Sequence, residues 1–327
     1  MLLVTPTSEL PPVWIGVDVG GTKVLAGAIA DDGRVLRNAR RATPGRRVEV
    51  AQVEEAVSEA VHAAAAGAEI LGVGLAAAGF VDAARERVVF APHLPWQGDG
   101  VRARLSERWG VPVVLDNDAN CAALAEWTYG AARAAGSAIV VTMGTGIGGA
   151  ILLGGRLVRG ANGMAGEFGH MQVVPGGHPC ECGGRGCWEQ YSSGSALVRN
   201  ARGLMSEQPS VLDEVTGGNP DLVTGPMVTA AAEDGDLAAR QAIVSVGEWL
   251  GTGLANLVAA LDPEVVVVGG GVSAAGDRLL EPARQALERS LVGAAHRAVP
   301  SLLPALLGPE AGIVGAAEMA RQDAQRR

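Results

Sequence analysis

Two stretches of the chain share one pattern, in which an apolar run, a glycine turn and a second apolar run follow one another. The first is VWIGVDVGGTKVLAGAIA, from Val13 to Ala30, and the second is IVVTMGTGIGGAILLGGRL, from Ile139 to Leu157. Apolar runs of this length, rich in β-branched residues and separated by glycines, predict strands joined by tight turns. The two stretches also align with each other, because Val17 to Gly20 match Val141 to Gly144.

A third glycine loop ends the β-branched run EVVVVGGGVS, from Glu264 to Ser273. Three such turns, two of them mutually similar, predict a duplicated fold in which each half offers a loop to one nucleotide. In the first turn, Asp18 ends a strand, and Thr22 and Lys23 follow the glycines. This combination of groups suits phosphate and a divalent metal ion. An ordinary hairpin is the alternative for any one of these loops taken alone.

The rest of the chain alternates between helical and strand patterns. Strands are predicted near residues 33–41, 70–76, 88–96, 111–115 and 265–271. Helices are predicted at residues 48–66, 98–110, 118–127, 195 onward, 228–234, 237–260 and 277–291. Residues 207–225 are polar with little periodicity, which predicts a loop or a short helix. The tail places Gly312, Gly315, Ala316 and Ala317 on one helix face, where backbones can pack closely, although a plain terminal helix is the simpler interpretation.

Composition limits the class of protein. The chain has 327 residues, enough for two lobes, and its 48% hydrophobic content with only 3% aromatic residues predicts a core of aliphatic side chains. A net charge of -9 argues against nucleic acid as a partner. Neither a signal peptide nor an uninterrupted membrane span is indicated, so we expect a cytoplasmic protein without a membrane partner. Its four cysteines should then be reduced unless they hold a metal ion.

The sequence DNDANCAALAEW, from Asp116 to Trp127, follows a predicted strand directly. Asp118 falls where a helix N-cap or first turn would lie. Capping alone could explain Asp116, Asn117 and Asp118, but three consecutive cap-type residues exceed what one helix needs. The cluster therefore favours a functional carboxylate.

The densest chemistry lies in ANGMAGEFGHMQVVPGGHPCECGGRGCWEQ. Three cysteines, Cys180, Cys182 and Cys187, lie close together downstream of an imidazole. Three thiolates and one histidine form a typical closed structural zinc site. Both His170 and His178 could supply the fourth ligand. A disulfide is the alternative, disfavoured by the odd number of cysteines in this segment.

These motifs together resemble the actin, hexokinase and Hsp70 superfamily, and within it the ROK family of sugar kinases and sugar-responsive repressors, above all the bacterial glucokinases of the actinobacterial type. DVGGTK resembles a first phosphate loop, DNDANCAALAE a connecting helix with its catalytic aspartate, and GTGIGG a second phosphate loop. VVGGGVS resembles an adenosine loop, and GEFGH with CECGGRGCWE is similar to the ROK signature. The resemblance covers nearly the whole chain.

The resemblance implies a two-lobed α/β fold of the actin-like, ribonuclease H-like type with a cleft between its lobes. The small lobe would comprise residues 13–127 and 310–327, and the large lobe residues 128–309. The implied activity is ATP-dependent phosphorylation of the 6-hydroxyl of D-glucose. Sugar and nucleotide would be the small-molecule partners, and the assembly a homodimer or homotetramer.

Site residues follow from the resemblance position by position. Asp118 would be the general base. The implied sugar ligands are Gly79, Asn117, Asp118, Glu167, His170 and Glu189. The implied ligands of ATP and of Mg²⁺ are Asp18, Gly20, Gly21, Thr22, Lys23, Gly144, Thr145, Gly146, Gly269, Gly270 and Gly271. Structural Zn²⁺ would be held by His170, Cys180, Cys182 and Cys187.

One departure and several rival functions remain open. His93 stands where family members often have asparagine, which leaves the finer sugar preference undetermined. N-acetylmannosamine, N-acetylglucosamine or fructose could replace glucose, and polyphosphate could replace ATP. A sugar-sensing repressor would need a DNA-binding segment ahead of Val13, where we expect none. A zinc-bearing sugar binder without activity would have no use for Asp118.

Overall fold

Both glycine-turn hairpins form as predicted in the computed structural model, which describes residues 10–98 and 100–326. The chain packs as two units. The described part of the first unit comprises residues 10–98, 100–134, 156–165 and 307–326, and the second comprises residues 135–155 and 166–306. Each unit holds one mixed sheet with helices packed on it.

The first unit contains the strands β1 to β7 and four helices among the described residues. The strands are β1 (Val13–Val19), β2 (Lys23–Ile29), β3 (Val35–Ala42), β4 (Ile70–Ala77), β5 (Phe80–Val81), β6 (Val88–Phe90) and β7 (Val113–Asn117). The helices are α1 (Val50–Ala65), α2 (Val101–Trp109), α3 (Asp118–Thr128) and the last helix of the chain, α9 (Ala311–Arg326). The main sheet has the order β3-β2-β1-β4-β7, and β5 pairs with β6 separately. One apolar cluster joins this sheet to α1 and α2, and further clusters include side chains of α3 and α9.

The second unit repeats this arrangement. Its strands are β8 (Ser137–Met143), β9 (Ile147–Leu153), β11 (Val265–Gly269) and β12 (Ser301–Pro304), and β10 (Arg156–Leu157) lies where the chain leaves the unit. Within the unit the sheet order is β9-β8-β11-β12. The helices are α4 (Gly194–Met205), α5 (Val211–Thr216), α6 (Gly225–Glu233), α7 (Leu237–Leu261) and α8 (Asp277–Ser290). Short 3-10 turns lie at Phe168–His170, Trp188–Gln190, Pro220–Leu222, Gly271–Ala275, Ala294–His296 and Gly308–Glu310.

The strand register confirms the internal duplication. In each unit an antiparallel hairpin, β1–β2 or β8–β9, is followed by two parallel strands on the side of its first strand. Val19 pairs with Val24 at the end of the first hairpin, and Met143 pairs with Ile147 at the end of the second. The sequence alignment of the two hairpins therefore corresponds to equivalent positions in the two sheets.

Helix α9 is a core element of the first unit, not a plain terminal helix. A Cβ atom at Gly16 of β1 would lie 1.7 Å from the carbonyl oxygen of Ile313, and one at Gly74 of β4 would lie 1.8 Å from that of Ala316. On the opposite side, a Cβ at Gly315 would lie 1.7 Å from the carbonyl oxygen of Cys121 in α3. These glycines allow α9 to press its backbone against the sheet and α3, as the small-residue face of the tail predicts.

Some boundaries differ from the sequence-based expectations. The strand predicted at 88–96 ends at Phe90, because Pro92 and Pro95 cannot donate to a strand ladder and the chain turns there. The helix predicted at 98–110 begins only at Val101, and Gly110 ends it in the left-handed conformation. Asp116 and Asn117, expected between the strand and the helix, complete strand β7, and α3 begins at Asp118 as predicted.

The compact units divide the chain at different places from the predicted lobes, because residues 128–134, 156–165 and 307–309 all group with the first unit. Residues 156–165, expected in the second lobe, pack in the first unit. Leu157 packs on the apolar cluster that contains Cys121 and Met319, and Arg159 pairs with Asp116. Long-range packing and one ion pair thus place this segment, and neither is visible in its local sequence.

Helix α7 is long and apolar enough to cross a membrane by length and composition alone. Its most apolar stretch is 61% buried inside the second unit, and it packs against α4, α6 and α8. Burial of this kind identifies α7 as a core helix of its unit.

Candidate active site

The first hairpin presents Asp18 at the end of β1 beside a three-residue turn. The turn is closed by a hydrogen bond from the Gly20 amide to the Lys23 carbonyl at 3.0 Å, and Thr43 donates its hydroxyl to the Gly20 carbonyl at 2.7 Å. Burial raises the pKa of the Asp18 carboxyl, and the nearby Lys23 ammonium opposes this rise. A desolvated carboxylate of this kind gains from a cation, so its chemistry fits a divalent metal ion.

Gly21 in the same turn has no space for a side chain. A Cβ atom there would lie 2.4 Å from Cβ of His93, so the His93 side chain lies directly against the turn. The sequence motif includes the glycine, but it does not predict this contact. His93 therefore neighbours the first phosphate loop of its own unit.

The junction of β7 and α3 brings together three predicted site residues. Asn117 is the N-cap of α3, and its Oδ1 accepts hydrogen bonds from the amides of Ala119 at 2.9 Å and Asn120 at 3.2 Å. Its Nδ2 donates to the Gly79 carbonyl at 3.1 Å. Asp118 is the first residue of the helix, and its Oδ1 accepts from the Ala119 amide at 3.0 Å. Only Asn117 therefore serves as the cap, and Asp118 stands at the helix N-terminus, where a carboxylate is stabilised in its charged form.

Asp116 is buried and was not predicted as a site residue. Its Oδ2 accepts hydrogen bonds from Nε of Arg159 at 2.7 Å, and Nη2 of the same guanidinium lies 2.6 Å away. Its Oδ1 accepts from Nδ2 of Asn120 at 2.8 Å and from the Asn117 amide at 2.9 Å. All of its acceptor capacity is used within the protein, so Asp116 is not placed to act as a base.

In the second unit, the β8–β9 turn and the glycine loop after β11 lie against each other. The Gly144 amide donates to the Gly146 carbonyl at 3.0 Å, so this turn is also closed by its leading glycine, but on a carbonyl one position nearer than in the first turn. Gly270 adopts a φ of +86°, and a Cβ there would lie 2.5 Å from the Met143 carbonyl oxygen. Only glycine allows both this conformation and this approach. The structure therefore joins the predicted second phosphate loop to the predicted adenosine loop.

A cavity of about 760 Å³ opens beside these two loops, within the second unit. A volume of this size is typical of small-molecule sites and suits a nucleotide. Predicted residues Gly144, Thr145 and Gly271 line it. Helices α4 and α6 supply much of the remaining wall, including Ser195, Arg199, Arg202, Pro226, Thr229 and Glu233.

Sequence reasoning missed these α4 and α6 residues, and the reason is physical. They lie far along the chain from both glycine loops and carry no short motif. Helix α6 follows a polar region that lacks periodicity, so nothing local marks its first residues as a cavity wall. The tertiary fold alone brings them to the loops.

The predicted sugar ligands of the second unit form one cluster. Oε1 of Glu189 lies 3.6 Å from Nδ1 of His170, and Oε2 of Glu167 lies 4.0 Å from Nε2 of the same ring. Glu189 also reaches the second hairpin, because its Oε2 accepts a hydrogen bond from the Ile147 amide at 3.4 Å. A Cβ atom at Gly146 would lie 2.3 Å from this oxygen. Glu189 thus links the predicted phosphate-binding turn to the predicted sugar-binding histidine.

The predicted zinc ligands also come together. The candidate ligand atoms of His170, Cys180, Cys182 and Cys187 all lie within 4.8 Å of one another. Sγ of Cys180 is 3.7 Å from Nδ1 of His170, and the sulfurs of Cys182 and Cys187 are 3.6 Å apart. Tetrahedral zinc with Zn–S bonds of about 2.3 Å separates its sulfur ligands by about 3.8 Å, so the donor set fits this ion.

His178 lies outside this cluster. Its ring packs against Tyr191 with the centroids 5.2 Å apart. The choice between the two histidines, which spacing alone left open, therefore favours His170.

The environment of Glu167 changes its acidity. Burial raises the pKa of the Glu167 carboxyl, and the nearby Glu189 carboxylate raises it further, while His170 acts to lower it.

The duplicated hairpin sheets, the glycine loops and the nucleotide-sized cavity define an ATPase domain of the actin-like class. The chain belongs to the ROK family, whose profile matches residues 14–323. It is 42% identical over 311 residues to a glucokinase from Streptomyces coelicolor, an alignment that covers 94% of this chain and 97% of that protein.

Two solved structures have the same fold. A ROK family glucokinase from Streptomyces griseus, crystallised with glucose and AMPPNP, is 42% identical, with a TM-score of 0.87 and coverage of 95% of this chain and 99% of the other. A ROK hexokinase from Thermus thermophilus is 36% identical, with a TM-score of 0.76 and coverage of 96% and 99%. The fold class and family inferred from the sequence motifs are confirmed.

Proposed function

We propose that this chain is an ATP-dependent glucokinase, which transfers the γ-phosphoryl group of ATP to the 6-hydroxyl of D-glucose. The similarity to glucokinases over nearly the full length of both chains supports this assignment. The observation that carries it is the position of Glu189, which contacts both the glycine turn at Gly146 and the imidazole of His170. A phosphate-binding turn and a sugar-binding cluster that share one carboxylate suit a sugar kinase.

Glucose ligands are assigned within each unit separately. In the second unit, Glu167, His170 and Glu189 would exchange hydrogen bonds with ring hydroxyls. In the first unit, the assigned ligand is Asn117, at the N-terminus of α3. Gly79 lines the sugar site, where its lack of a side chain is enforced by the Phe90 carbonyl, 2.5 Å from any Cβ. Buried polar groups left unpaired by a missing or misplaced hydroxyl would each cost about 1–3 kcal/mol, which gives the site its preference among hexoses.

The nucleotide is assigned to the cavity of the second unit. The adenosine would lie between α4, α6 and the loop of Gly269, Gly270 and Gly271. Thr145 with Gly144 and Gly146 would hold phosphate oxygens there. Within the first unit, Gly20, Gly21, Thr22 and Lys23 are assigned separately as a phosphate-binding turn. Mg²⁺ supplies charge neutralisation on the phosphates, and Asp18 would hold it through water.

Chemistry at the sugar is assigned to Asp118. Its carboxylate takes the proton of the 6-hydroxyl while the hydroxyl oxygen forms a bond to the γ-phosphorus, and the bond from that phosphorus to the bridging oxygen of ADP breaks. Phosphoryl transfer needs alignment and charge neutralisation more than covalent help, so one positioned base suffices. The products are glucose 6-phosphate and ADP.

Zinc is assigned a structural role. The three thiolates and the imidazole would fill all four positions of a tetrahedral ion, which leaves no open position for Lewis-acid catalysis. Its ligands all lie between the proposed sugar ligands Glu167 and Glu189 in the sequence, so the ion would hold the segment that presents them.

The test is a panel of hexoses assayed with ATP and Mg²⁺, in which formation of ADP is measured by a coupled assay. We expect the highest kcat/KM for D-glucose, followed by mannose, N-acetylmannosamine, N-acetylglucosamine and fructose at lower values. Equal kcat/KM for glucose and N-acetylmannosamine would contradict the sugar assignment, and His93→Asn would then be the first variant to examine. Faster turnover with polyphosphate than with ATP would contradict the donor assignment.

We also propose that the enzyme is cytoplasmic and forms a homodimer or homotetramer. Sedimentation equilibrium of the purified protein measures the assembly directly. A monomer at micromolar concentration would contradict this part of the proposal and leave the catalytic assignment unaffected.

A further inference from the structure

The carboxylate of Asp116 holds the chain on both sides of Asp118. Its Oδ1 accepts a hydrogen bond from the amide of Asn117, one residue before Asp118, and from the side chain of Asn120, two residues after it. Asp116 itself is fixed in β7, where it pairs in register with Ala76 of the parallel strand β4. The first turn of α3 is therefore tied to the sheet through one buried carboxylate, which is 2% exposed.

Arg159 supplies the charge that this carboxylate requires. The guanidinium contacts Oδ2 through Nε at 2.7 Å and Nη2 at 2.6 Å, which is the two-point geometry that arginine offers and lysine does not. The arginine side chain is 25% exposed, whereas the aspartate is buried. A buried carboxylate without its charged partner would have to take up a proton or move toward solvent.

The segment that carries Arg159 is itself held firmly in the first unit. The Ala165 amide donates to the Arg159 carbonyl at 3.0 Å, which closes the loop between them. Gly163, with a φ of +83°, approaches so closely that a Cβ there would lie 2.1 Å from the Val81 carbonyl oxygen. The guanidinium is thus presented from a loop with fixed ends.

The other arginine close to this carboxylate is already engaged. Arg85 interacts electrostatically with both Asp116 and Arg159, and its Nη2 lies 3.7 Å from Oδ1 of Asp323 in α9. Arg102, a further neighbour of Arg85, donates through Nε to the Val113 carbonyl at 3.0 Å. Neither arginine is placed to replace the hydrogen bond and the ion pair that Arg159 makes with Asp116.

We propose that Arg159 is a positioning residue for phosphoryl transfer, which acts through Asp116 to fix the first turn of α3 and so aim the carboxylate of Asp118. The inference rests on the proposed role of Asp118 as base. Arg159 needs no contact with sugar or nucleotide for this role. A base displaced by about 1 Å can lose about 10²-fold in rate, so the effect of losing the pair should fall on kcat.

The test compares Arg159→Gln, Arg159→Lys and Asp116→Asn with the control Arg156→Gln, which removes an exposed arginine three positions earlier. For each protein, kcat, KM for glucose, KM for ATP and the thermal midpoint are measured. We expect Arg159→Gln to lower kcat by about 10²-fold, with KM for ATP changed by less than about 3-fold. Arg159→Lys should fall between wild type and Arg159→Gln, and Arg156→Gln should match wild type.

Chemical rescue distinguishes positioning from loss of folded protein. Arg159→Ala leaves a partly exposed gap, so added methylguanidinium should restore kcat by about 5-fold or more, and it should not restore Asp118→Asn. A folded Arg159→Gln with kcat within about 3-fold of wild type would overturn the proposal. Losses in kcat and both KM values that only track the thermal midpoint, without rescue, would also overturn it.

If Arg159→Gln does not fold, Arg159→Lys and Asp116→Asn carry the same comparison. The outcome also separates this inference from the assignment of the base. An inactive Asp118→Asn with normal Arg159 variants overturns the inference alone. A fully active Asp118→Asn overturns the assignment of Asp118 as the base. The inference about Arg159 then falls as well, because Arg159 would have no base to position.

Discussion

Nδ1 of His170 lies 3.7 Å from Sγ of Cys180, which places Nε2 on the opposite side of the ring, toward Glu167. One imidazole can therefore bind a metal ion through Nδ1 and present Nε2 to a sugar hydroxyl. A metal ion on Nδ1 would fix both the orientation and the tautomer of the ring. The predicted zinc cluster and the proposed sugar ligands would then be parts of one arrangement, because they share this residue.

Loss of the metal should weaken sugar binding more than nucleotide binding. Cys182→Ala removes an exposed member of the cluster, one of the predicted zinc ligands, so the glucose Kd should rise by about 10-fold or more while the ATP Kd changes by less than about 3-fold. Separate calorimetric titrations with each ligand measure this. His178→Ala is the matched control, since His178 packs on Tyr191 outside the cluster and should leave both values unchanged. Equal weakening of glucose binding and ATP binding would contradict the prediction. Purified wild-type protein that contains no zinc would contradict it as well.

Asp118→Asn should abolish most turnover while glucose still binds. The substitution keeps the shape and one acceptor oxygen, including an acceptor for the Ala119 amide, but removes the proton-accepting charge. We expect kcat to fall by at least about 10³-fold, with the glucose Kd within a few-fold of wild type. Steady-state kinetics and direct titration together provide the measurement. Retention of more than about a tenth of wild-type kcat would mean that another group accepts the proton.

Much of the fold and of the candidate site was predictable from the local sequence. Both hairpins were predictable because a glycine turn between apolar runs is a short-range signal, and the second copy confirmed the first. The cluster of cysteines with His170 was predictable because the three cysteines and the histidine lie within one segment. The prediction of a strand at 88–96 was wrong beyond Phe90. The segment is apolar enough for a strand, but Pro92 and Pro95 end it.

Contacts between distant segments were not predictable in this way. Asp116 and Arg159 are 43 residues apart, and nothing in either segment indicates that they meet. The sequence favoured a functional role for Asp116, Asn117 and Asp118 as a group, whereas the structure gives each of them a separate role. Asn117 caps the helix, Asp116 anchors the junction, and Asp118 stands at the first helical position.

Gly21 should tolerate alanine much less well than Gly20 does. A Cβ at Gly21 would lie 2.4 Å from Cβ of His93, whereas one at Gly20 would meet only the Lys23 carbonyl at 3.5 Å, an ordinary contact. We expect Gly21→Ala to lower the free energy of unfolding by about 1–3 kcal/mol and Gly20→Ala by less than about 1 kcal/mol. Urea denaturation of the two variants measures the difference.

A second substitution identifies the contact responsible. The obstacle is Cβ of His93, so combining Gly21→Ala with His93→Gly should recover more stability than combining it with His93→Ala, which keeps that atom. Equal recovery in the two double variants would show that the imidazole, not Cβ, limits the space at Gly21.

Asp236 should make the second unit less stable in acid. It is the N-cap of α7, where its carboxylate accepts hydrogen bonds from the amides of Ala239 and Val211, each at 2.7 Å. Burial acts to raise the pKa of Asp236, but these amide hydrogen bonds outweigh it and hold the pKa below its ordinary value. A carboxyl whose pKa is lower in the folded state stabilises the fold above its unfolded pKa, near 4, and loses that contribution as pH falls through its folded pKa.

Asp236→Asn should therefore reduce stability by about 1–2 kcal/mol at pH 7, and its difference from wild type should shrink as pH falls below about 4. Urea denaturation across this pH range measures both proteins. Asp234→Asn is the control, because Asp234 is exposed and lies only two residues earlier; its difference from wild type should stay small throughout. A wild-type advantage over Asp236→Asn that stays constant down to pH 3 would show that the cap acts through shape alone, without the charge of its carboxylate.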